Sequence, residues 1–197
     1  MDPEDAEAFG EGEAMSERWW ASVDSAKLKS GVALWRGDEL IEAFTLRPVG
    51  KSDDGLWARW AQGVKLWSVG SRLAAWLGVL DAVGLSRSPP ESFVIATERG
   101  KNRGADRSLG WSVGYLCGLA ELKGRKVVDV ELSTWRRSVA EAMAELGRPI
   151  SWPAGETKEV AVKVARELYP QLGMITDDEA EAVLIGHAAM RLRLVEV

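Results

Sequence analysis

Between Trp19 and Leu46 the chain reads WWASVDSAKLKSGVALWRGDELIEAFTL, three short runs separated by turn residues. WWASVDS predicts a strand, KLKSG a turn and VALWRG a second strand, and Gly37 with Asp38 predicts a hairpin turn into a third. Strands this short joined by tight turns form an antiparallel meander.

Past the loop PVGKSDDG the pattern changes. Residues 56 to 83 place Trp60, Val64, Trp67, Ala74, Leu77 and Leu80 at helical spacing, which predicts a long amphipathic helix. SPPESFVIATE predicts a turn and then a buried strand ending at Glu98. A basic loop, RGKNRGADR, leads into the helical run LGWSVGYLCGLAEL. KVVDVEL predicts another buried strand, and WRRSVAEAMAEL predicts a helix. Residues 156 to 169 predict a further helix stopped by Pro170, and ITDDEAEAVLIGHA opens the last one. Strands that alternate with helices after an antiparallel start predict an α/β fold. Its mixed five-stranded sheet has three antiparallel strands, then parallel ones, and is flanked by helices.

At 197 residues and 46% hydrophobic composition, one domain is expected. The net charge of −5 is unevenly spread, since residues 1 to 18 hold seven acids and one base. Those residues are expected to be a disordered acidic tail, and residues 19 to 197 the folded domain, whose charges nearly balance. The single cysteine, Cys117, excludes an internal disulfide and fits a reducing cytoplasm. With neither a membrane span nor a signal-peptide pattern in the sequence, a cytoplasmic protein is expected.

Four carboxylates fall within five positions at the mouth of the last helix. Thr176 and Glu179 read as a capping box, and acids favour a helix N-terminus in any case. Glu181 needs another explanation. It shares a helical face with Leu184, Ile185, Ala188 and Leu192, the face expected to dock, and Asp178 lies one turn back. Two carboxylates aimed inward at that spacing repel unless something positive lies between them, and a divalent cation is the usual candidate. Asp24 in the first strand and Glu98 at the end of the fourth are the other acids in suggestive positions. Taken singly, a strand-end Asp capping its own turn is the commoner case.

The order of elements and acids resembles that of the RuvC-type Holliday junction resolvases, members of the ribonuclease H-like nuclease superfamily, from about Ala21 to Arg191. VDSAKLKSGVAL is similar to the family's first strand and glycine-bearing turn, and ATERGKNRGADRSLGWSVG to its strand-end Glu, polar loop and Leu-Gly-x-x-x-Gly helix. TKEVAVKVA resembles its Lys-Glu-x-Val helix, and DDEAEAVLIGHA its closing Asp-x-x-Asp-Ala helix. The resemblance implies Asp24, Glu98, Asp178 and Glu181 as metal ligands and catalytic acids, with Lys158 near the scissile phosphate. Three departures stand out: Glu in place of Asp at position 181, a shortened loop without the family's wedging aromatic, and no Gly-x-Gly before the Lys-Glu helix.

Phosphodiester hydrolysis needs an activated water on one side of phosphorus and a stabilised leaving oxygen on the other, which two metal ions supply together. Mg²⁺ takes oxygen ligands and keeps several waters, so two Mg²⁺ ions are expected, with Mn²⁺ as a substitute. Arg99, Lys101, Arg103 and Arg107 follow Glu98 in a glycine-containing loop suited to a phosphate backbone, and Arg136 and Arg137 form a second patch. Gly110, Gly114 and Gly118 recur every four residues. By resemblance this stripe lies at a homodimer interface, which would present two sites to a four-way DNA junction. A phage or bacterial setting is expected.

Two competing readings are a nuclease acting on RNA or RNA:DNA hybrids and a non-catalytic nucleic-acid-binding module. Trp60 and Trp67 read as core, while Trp57 and Trp111 are open between core and base stacking. His187 and Cys117 read as ordinary structural residues.

Overall fold

The computed structural model describes residues 19–25, 30–46, 94–99 and 126–195. Three strands come first: β1 (Trp19–Ser25), β2 (Ser30–Arg36) and β3 (Glu39–Leu46). β1 pairs antiparallel with β2 from Trp19↔Arg36 to Ser25↔Ser30, and β2 pairs antiparallel with β3 from Ser30↔Leu46 to Arg36↔Glu39. The β2–β3 turn is Gly37–Asp38, where Gly37 takes a φ of 58° that other residues rarely adopt. The indole N–H of Trp20 donates to its carbonyl at 2.8 Å.

β4 (Val94–Arg99) lies parallel to β1, and β5 (Lys126–Glu131) lies parallel to β4, giving the strand order β3-β2-β1-β4-β5. The chain is thus an α/β protein that opens on a three-stranded antiparallel meander, with helices packed against it. One element departs from its expected burial. KVVDVEL was predicted to be a buried strand, yet only Val130 is buried in β5 and Lys126, Asp129 and Glu131 are exposed. Its place at the end of the strand order among the described residues explains this, because an outer strand has one neighbour and tolerates charge.

Helix α1 (Leu132–Glu145) follows β5 directly and begins three residues earlier than the Trp135 start predicted. Helix α2 (Thr157–Leu168) gives way to a 3₁₀ turn, Pro170–Leu172, because proline has no N–H to continue the ladder. Helix α3 (Asp177–Arg191) packs across β1 and β2, with α1 and α2 against its other sides. Being covered almost all round, it is rich in small apolar residues, among them Ala180, Ala182, Ala188 and Ala189. Leu184, Ile185 and Ala188 are fully buried as their spacing predicts, whereas Leu192 is 37% exposed because α3 ends at Arg191.

Contact between α3 and the sheet is close. A Cβ on Gly186 would fall 2.5 Å from the Ser22 hydroxyl and 2.6 Å from the Trp35 ring. Ser22 Oγ donates to the carbonyl of Ala182 at 2.7 Å and accepts from Trp35 Nε1 at 2.8 Å. Trp35 stacks on Trp20 with centroids 5.1 Å apart and meets Tyr169 edge-on at 5.4 Å. Ala21, Val23, Val32 and Leu34 alternate to the opposite face and are buried there too.

Tyr169 also hydrogen-bonds His187 Nδ1 at 2.7 Å. Burial, reinforced by Asp38, pushes the phenol up, so its hydroxyl stays protonated and donates. Burial, and then the charge of Arg191, holds His187 down at about 4, with Glu145 acting weakly the other way. The unfolded chain therefore takes up a proton on His187 near its ordinary 6.5 while the folded chain refuses it until about pH 4. That stability cost is absent above the unfolded value and grows as pH falls from 6.5 towards 4. Urea unfolding at pH 7 and pH 4.5 should show wild type losing roughly 2–3 kcal/mol more than His187→Gln. Equal losses in the two proteins would dismiss this account.

Candidate functional site

Four residues stand in a row across the sheet. Thr45 on β3 pairs with Gly31 on β2, and Gly31 pairs with Asp24 on β1. Val23 pairs with Thr97 on the parallel neighbour β4, so the backbone of Glu98 comes level with Asp24 one strand further on. Adjacent strands lie about 4.8 Å apart, so Asp24 and Glu98 occupy neighbouring positions at the C-terminal ends of parallel strands. Asp24 is half-buried, on the same face as Ser22, the face that α3 covers.

The start of α3 lies directly on this row. A Cβ on Gly31 would fall 1.8 Å from the carbonyl oxygen of Asp178 and 2.3 Å from its carbonyl carbon. Only glycine permits that approach, and it sets the backbone of Asp178 beside the residue paired with Asp24. KLKSG was predicted as a turn ending at Gly31, whereas the structure places Gly31 inside β2, where its use is close packing. Asp178 is buried at 3% exposure, and Glu181 follows one turn along, half-buried.

Asp177 faces elsewhere. Its Oδ2 pairs with the ammonium of Lys158, at the start of α2. The hydrogen bond to Asp177 raises Lys158 above its ordinary range, partial burial opposes it, and the charges of Asp177, Asp178 and Glu181 add to the rise. The field of Lys158 thus reaches both inward acids. A groove of about 820 Å³ runs from the Lys158–Asp177 pair past Val162 and Arg166 to Pro170.

Thr176 and Glu179 form the capping box predicted for them, with the Glu179 N–H reaching Thr176 Oγ1 at 3.3 Å and the Thr176 N–H reaching Glu179 Oε2 at 2.8 Å. Thr45 Oγ1 donates to Glu179 Oε1 at 2.7 Å and lies 3.1 Å from Thr176 Oγ1, tying the cap to β3. Sequence reasoning missed Thr45. Nothing local marks it, and only its register opposite Gly31 gives it a role.

The basic residues are placed unevenly. Arg99 ends β4 at the same edge, and α1 begins where β5 ends, opposite it. Arg136 lies over the rings of Trp135 at 5.3 Å and Trp152 at 5.5 Å, and its carbonyl accepts from Trp152 Nε1 at 3.0 Å. Packing therefore accounts for much of its surface, while Arg137 is exposed. Lys101, Arg103, Arg107, Gly110, Gly114, Gly118, Cys117, Trp57, Trp60, Trp67 and Trp111 lie outside the described residues.

Among the described residues, no group of three or more His, Cys, Asp or Glu side chains is already gathered as a metal cluster. Asp24, Asp178 and Glu181 each offer hard oxygen donors of the kind Mg²⁺ takes, and so fit such an ion in chemistry, but the structure does not gather the three as a group. No described helix is long and apolar enough to cross a membrane.

The frame is α/β, with Asp24 and Glu98 near the C-terminal ends of parallel strands and a helix start laid over Gly31. Among solved structures it is similar to RuvC of T. thermophilus in complex with Holliday junction substrate, at a TM-score of 0.55 and 14% identity over 88% of this chain and 95% of that one. A second Thermus thermophilus RuvC structure matches at 0.51 and 16%, covering 90% and 98%. No family model matches the chain, and no curated protein matches its sequence. The fold is that of the RuvC resolvases.

Gly31→Ala should force the first turn of α3 off the sheet. A loss of at least about 3 kcal/mol is expected in chemical denaturation, since a backbone carbonyl cannot step aside as a side chain can. A variant as stable as wild type would show that Gly31 does not hold the helix in place.

Proposed function

We propose that the chain is a metal-dependent, structure-selective endonuclease that resolves four-way DNA junctions by paired nicks. Residues 19 to 197 would form one ribonuclease H-like domain on a mixed five-stranded sheet, preceded by the acidic residues 1 to 18. The observation that carries this is the row Thr45, Gly31, Asp24, Glu98 with the acidic first turn of α3 lying on Gly31. It is supported by likeness to a RuvC structure that holds Holliday junction substrate.

Asp24, Glu98, Asp178 and Glu181 are the residues that would hold Mg²⁺, or Mn²⁺ in its place. When bound, the metal supplies water activation and neutralises charge on the leaving oxygen. The protein's own contribution is positional. β1 and β4 would bring Asp24 and Glu98 to neighbouring strand positions by register, and the Thr176–Glu179 cap and Gly31 would seat the helix turn that carries Asp178 and Glu181. Lys158 offers positive charge where the transferring phosphate gains negative charge. Arg99, Lys101, Arg103 and Arg107, with Arg137 and Arg136, would position the DNA backbone. Gly110, Gly114 and Gly118 would let two copies approach closely, giving a homodimer with one site for each of two symmetric strands.

The test is incubation of the full chain with labelled four-way junction, duplex and RNA:DNA hybrid, with and without Mg²⁺. Paired symmetric nicks in the junction, dependent on metal, are expected. Cutting of hybrid alone would replace this reading with a ribonuclease, and binding without cutting in any metal would leave a non-catalytic module. Asp24→Asn and Asp178→Asn should each slow cutting by more than the roughly 10–100-fold that loss of an outer partner costs, while sparing junction binding. Normal cutting by either would remove that residue from the mechanism.

A further inference from the structure

Asp177 and Asp178 are consecutive on a helix, so their side chains diverge by about 100° and cannot serve one point in space. The structure divides them. Asp178 is 3% exposed with its backbone on Gly31, while the Asp177 carboxylate pairs with Lys158 across to α2. Lys158 has a long flexible stem and a side chain 58% exposed, and Asp177 is its ion-pair partner among the described residues. The charges of Asp178 and Glu181 also favour the charged form of that ammonium, after the hydrogen bond and charge of Asp177.

We infer that Asp177 is a positioning residue: it is not a metal ligand, and it holds the Lys158 ammonium beside the Asp178 and Glu181 carboxylates, where the scissile phosphate would lie. The inference rests on the nuclease reading above. An ion pair this exposed contributes little to folding. Its purpose is then geometric. Without Asp177 the ammonium would sample the groove along α2, and the lysine would seldom be in place when the phosphate arrives.

The experiment compares Asp177→Asn, Asp177→Glu, Lys158→Met, the double variant Asp177→Asn/Lys158→Met and Asp178→Asn in the full chain. It measures Mn²⁺ affinity by calorimetry, junction affinity, and single-turnover cutting. Asp177→Asn should bind Mn²⁺ and junction as wild type does, yet cut roughly tenfold more slowly. Asp177→Glu should recover part of the rate, and the double variant should be no slower than Lys158→Met alone. Loss of Mn²⁺ affinity matching that of Asp178→Asn would make Asp177 a ligand and overturn the inference. So would a wild-type cutting rate in Asp177→Asn, or independent, multiplying effects of the two substitutions. If Asp177→Asn does not fold, Asp177→Glu decides by the same readings. A wild-type protein that cuts no substrate overturns the nuclease reading and the positioning role together, whereas a cutting wild type with an indifferent Asp177 overturns the positioning role alone.

Discussion

A side chain at position 31 would bring its Cβ to 1.8 Å from the carbonyl oxygen of Asp178, closer than any non-bonded pair can stand, so the first turn of α3 rests on the sheet only because that residue is glycine. The complementary device lies on the helix itself. Gly186 leaves room for the Ser22 hydroxyl and the Trp35 ring. Between these two contacts Ser22 donates to the Ala182 carbonyl, and alanines rather than larger residues fill much of the buried surface of α3. Close packing without voids is worth several kcal/mol to a core. Here it also sets a distance, because the helix that comes this near the sheet brings its opening acids to the strand ends.

The start of α3 is fixed from several directions. Its cap reaches β3 through Thr45, its first carbonyls meet β2 at Gly31, and its second turn is bonded to β1 through Ser22. A capping residue alone contributes about 1 kcal/mol, and a neutral hydrogen bond a similar amount. None of these is large singly. Together they oppose sliding of the helix along its axis and rotation about it. The cap also sorts the acids. Glu179 is occupied with Thr176 and Thr45, Asp177 pairs with Lys158, and Asp178 is buried with its backbone on Gly31.

Much of this was legible in the sequence, and what was not follows from its range. β1, β2 and β3 could be read because strand alternation and the Gly37–Asp38 turn are local signals. The capping box of α3 spans only Thr176 to Glu179 and could be read for the same reason. Gly31 could not, since its use depends on Asp178, far along the chain. KVVDVEL looked buried because its valines dominate a short window, and its outer place in the sheet depends on strands elsewhere. Arg136, read as half of a basic patch, also lies over Trp152, sixteen residues on, a contact no local window shows. Asp177 and Asp178 both stand about one turn before Glu181, and the pairing of Asp177 with Lys158, on another helix, is a long-range fact that no local spacing shows.

Likeness to RuvC at a TM-score of 0.55 with 14% identity shows how little sequence such a frame needs. The requirements seen here are few. A glycine must stand at position 31, and a capped helix must start over it. Here the interior is filled in part by stacked Trp20 and Trp35 and by Trp135, over which Arg136 lies. Substitution in the core alters volume, which neighbouring residues can absorb, whereas a second heavy atom at position 31 meets a backbone that cannot. Divergence would therefore erase sequence similarity across most of the chain well before it disturbed the row from Thr45 to Glu98.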